Sequence, residues 1–226
     1  ARVRAGESDP GLAALMYQLG RYMLNAASRA DSPLPAHLTG IWNDNMACRI
    51  QWSCCYILDM NTQMNYWPAG PGGLSDCSMP LFNWMRDVLM PSGRGTAAKL
   101  YGAAGWTAHV PANPWGYTAP GWHHSWGIWP TGGVWLCGHL WDHYLFTRDL
   151  DFLRELAWPV MSDAARFCLG YAIEDPQTGL LVGGPSYSPE NGFKIEGEWC
   201  ASVMGPTVDV LLMRELFLNC ADAGEA

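Results

Sequence analysis

Apolar positions recur at helical spacing through most of the chain. Leu12, Leu15, Met16, Leu19, Met23 and Ala26 lie three or four residues apart, which predicts an amphipathic helix of about five turns ending at Ser28-Arg29. Asp9-Pro10 supplies a side-chain cap and a first-turn proline at its start. A second helix is predicted from Ser78-Met79-Pro80 through Leu81, Trp84, Met85, Val88 and Leu89, and a short one from Thr96 to Tyr101. Thr131 opens another, carrying Val134, Trp135, Leu136, Leu140, Tyr144 and Leu145 to Thr147-Arg148-Asp149. The next runs from Asp151 to Tyr171, with a kink expected at Pro159, and the last covers Val208 to about Asn219.

Polar and glycine-rich segments separate these helices. Residues 30–45 read as loop, and the Pro-Ala-Gly-Pro-Gly-Gly run from Pro68 to Gly73 ends any element before it. Residues 102–130 are irregular and rich in Gly, Pro, Trp and His; a connection this long in a compact domain is functional or disordered, and this one is too aromatic for disorder. Residues 178–184 suggest a short strand or hairpin arm, followed by a polar loop over residues 185–193. There is no repeated βαβ unit and no repeat of fixed period. The expected fold is all-α, with helical hairpins arranged as a toroid or bundle and functional loops on one side.

Composition narrows the partners. Hydrophobic residues make up 49% of the 226, enough for a buried core, while a net charge of −8 with Lys only at 99 and 194 excludes a phosphate-backbone footprint and so nucleic acid. No apolar run is long enough to span a membrane, and the first residues lack the apolar core of a signal peptide. The chain is expected to start inside a longer protein. Seven of its thirteen tryptophans fall between Trp106 and Trp141. Indole faces stack on the C–H faces of sugar rings, whose hydroxyls then need amide and carboxylate partners, although most tryptophans are core residues. The eight cysteines show neither CxxC nor zinc-site spacing and read mostly as small buried hydrophobes.

Polar chemistry concentrates in Leu58-Asp59-Met60-Asn61-Thr62-Gln63-Met64-Asn65-Tyr66-Trp67-Pro68, a run without Lys or Arg. It reads either as a helix end whose Asn residues cap backbone groups or as a cavity lining. Glu190, between Pro189 and Asn191, is either a solvated loop carboxylate or an acid whose apolar walls disfavour charge, as a proton donor requires. His139 and His143 are four apart on a helix without the acidic residue of a zinc-protease motif, so no metal is expected; His109, Trp106, Trp122 and Trp126 are candidates for a ligand-facing wall. No Gly-x-Ser-x-Gly elbow or activated cysteine supports nucleophilic catalysis. Carboxylates, amides and tryptophans are the groups that cleave or hold sugars.

Several blocks together resemble glycoside hydrolase family 95, the inverting α-L-fucosidases, some of which act on α-L-galactosides. They are Tyr17-Gln18-Leu19-Gly20-Arg21-Tyr22-Met23-Leu24, Leu34 to Asn43, Asn61 to Ala69, Trp129 to Cys137 running on to Thr147, and Ser188-Pro189-Glu190-Asn191, in the family's order along nearly the whole chain.

The resemblance implies a six-hairpin (α/α)6 toroid, of which residues 1–226 form a single partial catalytic domain, without the family's preceding β domain and closing hairpins. It implies removal of terminal α-1,2-linked L-fucose, or α-L-galactose, from glycans with inversion and no cofactor, in an extracellular or periplasmic setting. Glu190 matches the family's general acid, Asn61 the amide that positions the attacking water, and Asp59 stands where members carry another Asn. Gly70 and Gly73 replace the usual Glu and Asn. In the family a downstream Asp, beyond this chain, draws the proton through the amide. Two readings of Asp59 follow: a carboxylate that serves in its place, or a residue that only orients Asn61. A non-catalytic sugar-binding fragment is the alternative function, and unpaired helix faces imply self-association.

Overall fold

Asp9 sets the first helix, α1 (Pro10–Ala27): its Oδ1 accepts from the Leu12 amide at 3.1 Å, Pro10 occupies the first turn, and the Ser28 amide closes the end on the Leu24 carbonyl. The computed structural model describes residues 3–42, 51–121, 123 and 127–226. Only part of the predicted stripe of α1 is buried. That part is Ala26, which is half-buried, whereas Leu12, Leu15, Met16, Leu19 and Met23 are exposed; the α1 residues that enter the core, Leu24 and Ala27, lie outside the predicted stripe.

After α2 (Asn61–Tyr66), residues 79–101 form one continuous helix, α3, where the apolar pattern predicts two. Pro91, Gly93 and Gly95 look like breakers in the sequence. A proline inside an α-helix clashes with the carbonyl four residues back, here that of Asp87, which lies in the π-helical stretch Met85–Leu89. The wider turn gives that carbonyl room and lets the helix continue. The same device recurs in α5 (residues 150–171), where Leu153–Ala157 is π-helical just ahead of Pro159. Between them lies α4 (Gly132–Thr147), and α6 (Thr207–Glu225) closes the described chain, longer at both ends than its apolar pattern indicates.

Helices α4, α5 and α6 pack against one another, and their facing residues (Leu136 and Leu140; Val160, Met161 and Phe167; Met213 and Leu216) join Leu81, Phe82, Met85 and Leu89 of α3 in one core. Each such side chain, fully buried, contributes about 2 kcal/mol by its removal from water. The wedge of this core is Trp106. It is fully buried, its Nε1–H donates to the Val160 carbonyl at 2.9 Å, and its ring lies so close to Gly93 and Gly133 that a Cβ at either would strike it. Gly93 is therefore a packing residue of α3.

The fold is mostly helical, and the strands of the described residues are two or three residues long in four two-stranded antiparallel ladders. β1 (Tyr56–Ile57) pairs with β2 (Pro111–Ala112), tying the segment before α2 to the long irregular connection. β3 (Ile173–Glu174) pairs with β4 (Leu181–Val182), the predicted hairpin arm. β5 (Ser186–Tyr187) pairs with β8 (Ser202–Val203), enclosing the hairpin of β6 (Phe193–Ile195) and β7 (Glu198–Cys200). Among the described residues no helix is long and apolar enough to cross a membrane.

Candidate active site

The polar run before and within α2 divides its labour. Gln63 and Tyr66 are buried: Gln63 Nε2 donates to the Leu58 carbonyl at 2.6 Å, and the Tyr66 hydroxyl accepts from the Ala36 amide at 2.8 Å. Ser28 Oγ, 2.8 Å from the Tyr66 hydroxyl, spends its own hydrogen on the Cys77 carbonyl, so the tyrosine donates to it. Asn65 Nδ2 donates to the His37 carbonyl at 3.0 Å. These three side chains pin α2 to the neighbouring loops. No side chain caps the helix, whose N-cap is Met60, so the helix-end reading of the Asn residues does not hold. Asp59 and Asn61 are left facing a cavity of about 350 Å³.

Glu190 reaches the same cavity from the loop after β5, and Trp52, Ile57, Val110, Tyr187 and Pro189 supply apolar wall. The two carboxylates come from distant parts of the chain. The segment of Asp59 is held by β1 and by the Leu58 amide bond to the Val110 carbonyl at 2.8 Å. Glu190 is carried by β5, whose alternation sends the two buried side chains of Ser186 and Tyr187 to opposite sides. Tyr187 packs with Ile57, Val110, Trp129 and Ala201 beneath the cavity, and its hydroxyl points to Asp59 Oδ2 at 3.5 Å.

Asp59 is pushed up to about 6, first by burial and then by the negative charge of Glu190, against bonds from its own backbone amide and from Tyr187 that favour the charged form. The Tyr187 phenol is raised above its ordinary range by burial and by Asp59 and Glu190, so it stays neutral and donates.

Behind β5 lies a second polar group without access to the cavity. Asp209, fully buried in the first turn of α6, accepts from Trp129 Nε1 at 2.8 Å and from Thr131 Oγ1 at 2.9 Å. Burial raises its carboxyl, and Ser186, Thr131 and Trp129 oppose that rise.

Two of the expected wall residues are elsewhere. Trp106 is the core wedge already described. His109 is fully buried, its Nδ1–H donating to the Thr118 carbonyl at 2.8 Å and its Nε2 accepting from the Tyr101 hydroxyl at 2.6 Å. Burial pushes it down to about 4, so it is neutral and structural. Both sit in the aromatic connection, but their polar atoms are consumed by core partners. Trp122 and Trp126 lie outside the described residues. Trp52 and Tyr187 take the wall positions instead. Composition does not single them out: Trp52 stands outside the tryptophan cluster, and a two-residue strand gives no alternation to read. Gly70 lies away from this cavity, in a smaller one of about 180 Å³, with Phe146 directly over it.

Comparison with known proteins shows the family. The model of the glycosyl hydrolase family 95 catalytic domain matches residues 1–226. Alpha-L-fucosidase 2 of Arabidopsis thaliana is 38% identical over 221 residues, covering 97% of this chain and 26% of the relative. Probable alpha-fucosidase A of Aspergillus niger is 35% identical over 187 residues, covering 81% of this chain and 23% of the relative. The chain thus spans about a quarter of the length of these relatives. With one cavity shared by two carboxylates and an amide, and a family match along its whole length, the chain belongs to the glycosyl hydrolase family 95 catalytic domains.

Proposed function

We propose that the chain is part of a glycoside hydrolase that releases terminal α-1,2-linked L-fucose, or α-L-galactose, from glycans with inversion at the anomeric carbon. The observation that carries this reading is the convergence of Asp59, Asn61 and Glu190 on one apolar-walled cavity. Glu190 gives its proton to the glycosidic oxygen as the bond to the anomeric carbon breaks. Asn61 holds the water that attacks the opposite face, and Asp59 takes the proton that the water loses. A carboxylate raised to about 6 suits that role, because it is still mostly ionised at neutral pH and yet is a stronger base than an ordinary aspartate. Side chains make both proton transfers, so the mechanism calls on no cofactor. An inverting pair stands about 6.5 to 9.5 Å apart, leaving room for the water. Helices α3 to α6 supply hairpins of an (α/α)6 toroid whose loops form the sugar pocket.

The test is release of L-fucose from a 2′-fucosylated oligosaccharide by the natural full-length protein, with the anomer followed by proton NMR. β-L-fucose is expected as the first product, and Glu190→Ala is expected to bind the oligosaccharide without cleaving it. Unchanged turnover in Glu190→Ala rejects the acid assignment. Binding without release by the wild type makes the protein a sugar-binding module.

A further inference from the structure

Tyr187 stands between the two sides of the cavity. It ends β5, three residues before Glu190 in the loop that follows, and its hydroxyl oxygen lies 3.5 Å from Asp59 Oδ2, a contact that spans 128 residues of sequence. The ring has little freedom: it is 1% exposed, packed among Ile57, Val110, Trp129 and Ala201, while its backbone is paired with Ser202 across β5 and β8. What remains mobile is the rotation of the hydroxyl hydrogen. The Asp59 carboxylate accepts that hydrogen, at a distance long for a hydroxyl–carboxylate bond. Such bonds shorten when a bound sugar excludes water and closes the site.

We propose that Tyr187 is a positioning residue: its hydroxyl holds the Asp59 carboxylate turned toward the attacking water and ties the water side of the site to the loop that carries the acid. The inference rests on the reading of Asp59 as the group that takes the water's proton. Opposed influences act on this one carboxylate. Burial and the facing charge of Glu190 disfavour the ionised form, and the donated hydrogen of Tyr187 favours it; Glu190 and Tyr187 are the titratable side chains acting on Asp59. Without the hydroxyl, Asp59 ionises at a higher pH and is free to rotate, so the enzyme loses both the charge state and the aim of its base.

The experiment compares wild type, Tyr187→Phe, Asp59→Asn and the double variant in the natural full-length protein, following kcat and KM against pH on a 2′-fucosylated oligosaccharide. In Tyr187→Phe the acidic limb of kcat moves to higher pH by about half a unit, as loss of one weak hydrogen bond to a charged group requires. At the optimum kcat falls several-fold while KM stays near the wild-type value. On the Asp59→Asn background, which has lost the base and its limb, the same change lowers the residual kcat no further. Replacing Tyr187 by 3-fluorotyrosine keeps the ring and strengthens the donor, so the limb moves the other way; this arm stands even where Tyr187→Phe fails to fold. An enzyme that releases fucose, depends on Glu190 and keeps its acidic limb unmoved in either Tyr187 variant overturns the role of Tyr187 alone. A protein that releases no sugar, or whose turnover survives Glu190→Ala, overturns the parent reading and this inference with it.

Discussion

Trp129 donates its indole N–H to Asp209 Oδ1 at 2.8 Å, joining the connection before α4 to the first turn of α6 across 80 residues of sequence. Thr131 shares the same oxygen at 2.9 Å, and the whole arrangement is sealed from solvent. The positive end of the α6 dipole favours a carboxylate here, but burial outweighs it and raises the group. Asp209→Ala would leave two buried donors without their acceptor. A loss of about 2–4 kcal/mol is expected in denaturant unfolding, and a smaller loss for Asp209→Asn, which keeps an acceptor. Equal losses for the two variants would show that the donors do not depend on this oxygen.

The raised carboxyl of Asp59 couples stability to pH. Its folded value of about 6 exceeds the ordinary 3.8, so the folded state prefers the protonated acid. That preference contributes fully below about pH 3.8 and is lost as the pH rises through 6. Partial exposure reduces the effect, leaving roughly 2 kcal/mol. Asp59→Asn does not titrate. Its melting temperature should therefore gain on that of the wild type between pH 4 and pH 7; a constant difference across the range would remove the basis for a perturbed Asp59.

When ionised, Glu190 acts on Asp59 as a charge. Glu190→Gln should lower the midpoint at which the Asp59 carboxyl titrates, read by carbon NMR, because one of the two influences raising it is gone. In the same variant turnover should fall about 10²- to 10⁴-fold, the usual contribution of a general acid. An unchanged Asp59 midpoint would mean that the two groups do not share an electrostatic site.

Gly105 has φ of +79°, and a methyl group there would run into the Asp163 carbonyl and the Phe167 amide of α5. Gly105→Ala should cost about 3 kcal/mol or more, from left-handed backbone strain and the displacement of α5. Thermal melting measures it, and a loss below about 1 kcal/mol would argue against this close approach.

Much of the helical framework is legible in the sequence because periodic apolar residues fix where α1, α4, α5 and α6 run. What periodicity does not carry is the environment. In α1 the periodic Leu15 and Met16 are exposed, and the buried residues, Leu24 and Ala27, lie outside the stripe that the pattern picks out. Pro91 reads as a stop until the π turn before it is seen, and so one helix looks like two. In the site, the density of polar groups and the family resemblance single out Asp59, Asn61 and Glu190, and these three share a cavity. Composition alone singles out Trp106 and His109, and it cannot tell a sugar-stacking indole from one whose N–H is spent on the Val160 carbonyl.

The distance along the chain between Asp59 and Tyr187 has a consequence for how the protein comes to exist. A contact spanning 128 residues cannot form until the helices between have docked, since the entropy of closing so long a loop is met only by the core that it encloses. The helices can each appear early, from local contacts, without creating any trace of the cavity. During synthesis the segment of Asp59 emerges well before the β5 strand that must meet it, so the two sides of the cavity cannot meet until both have been made.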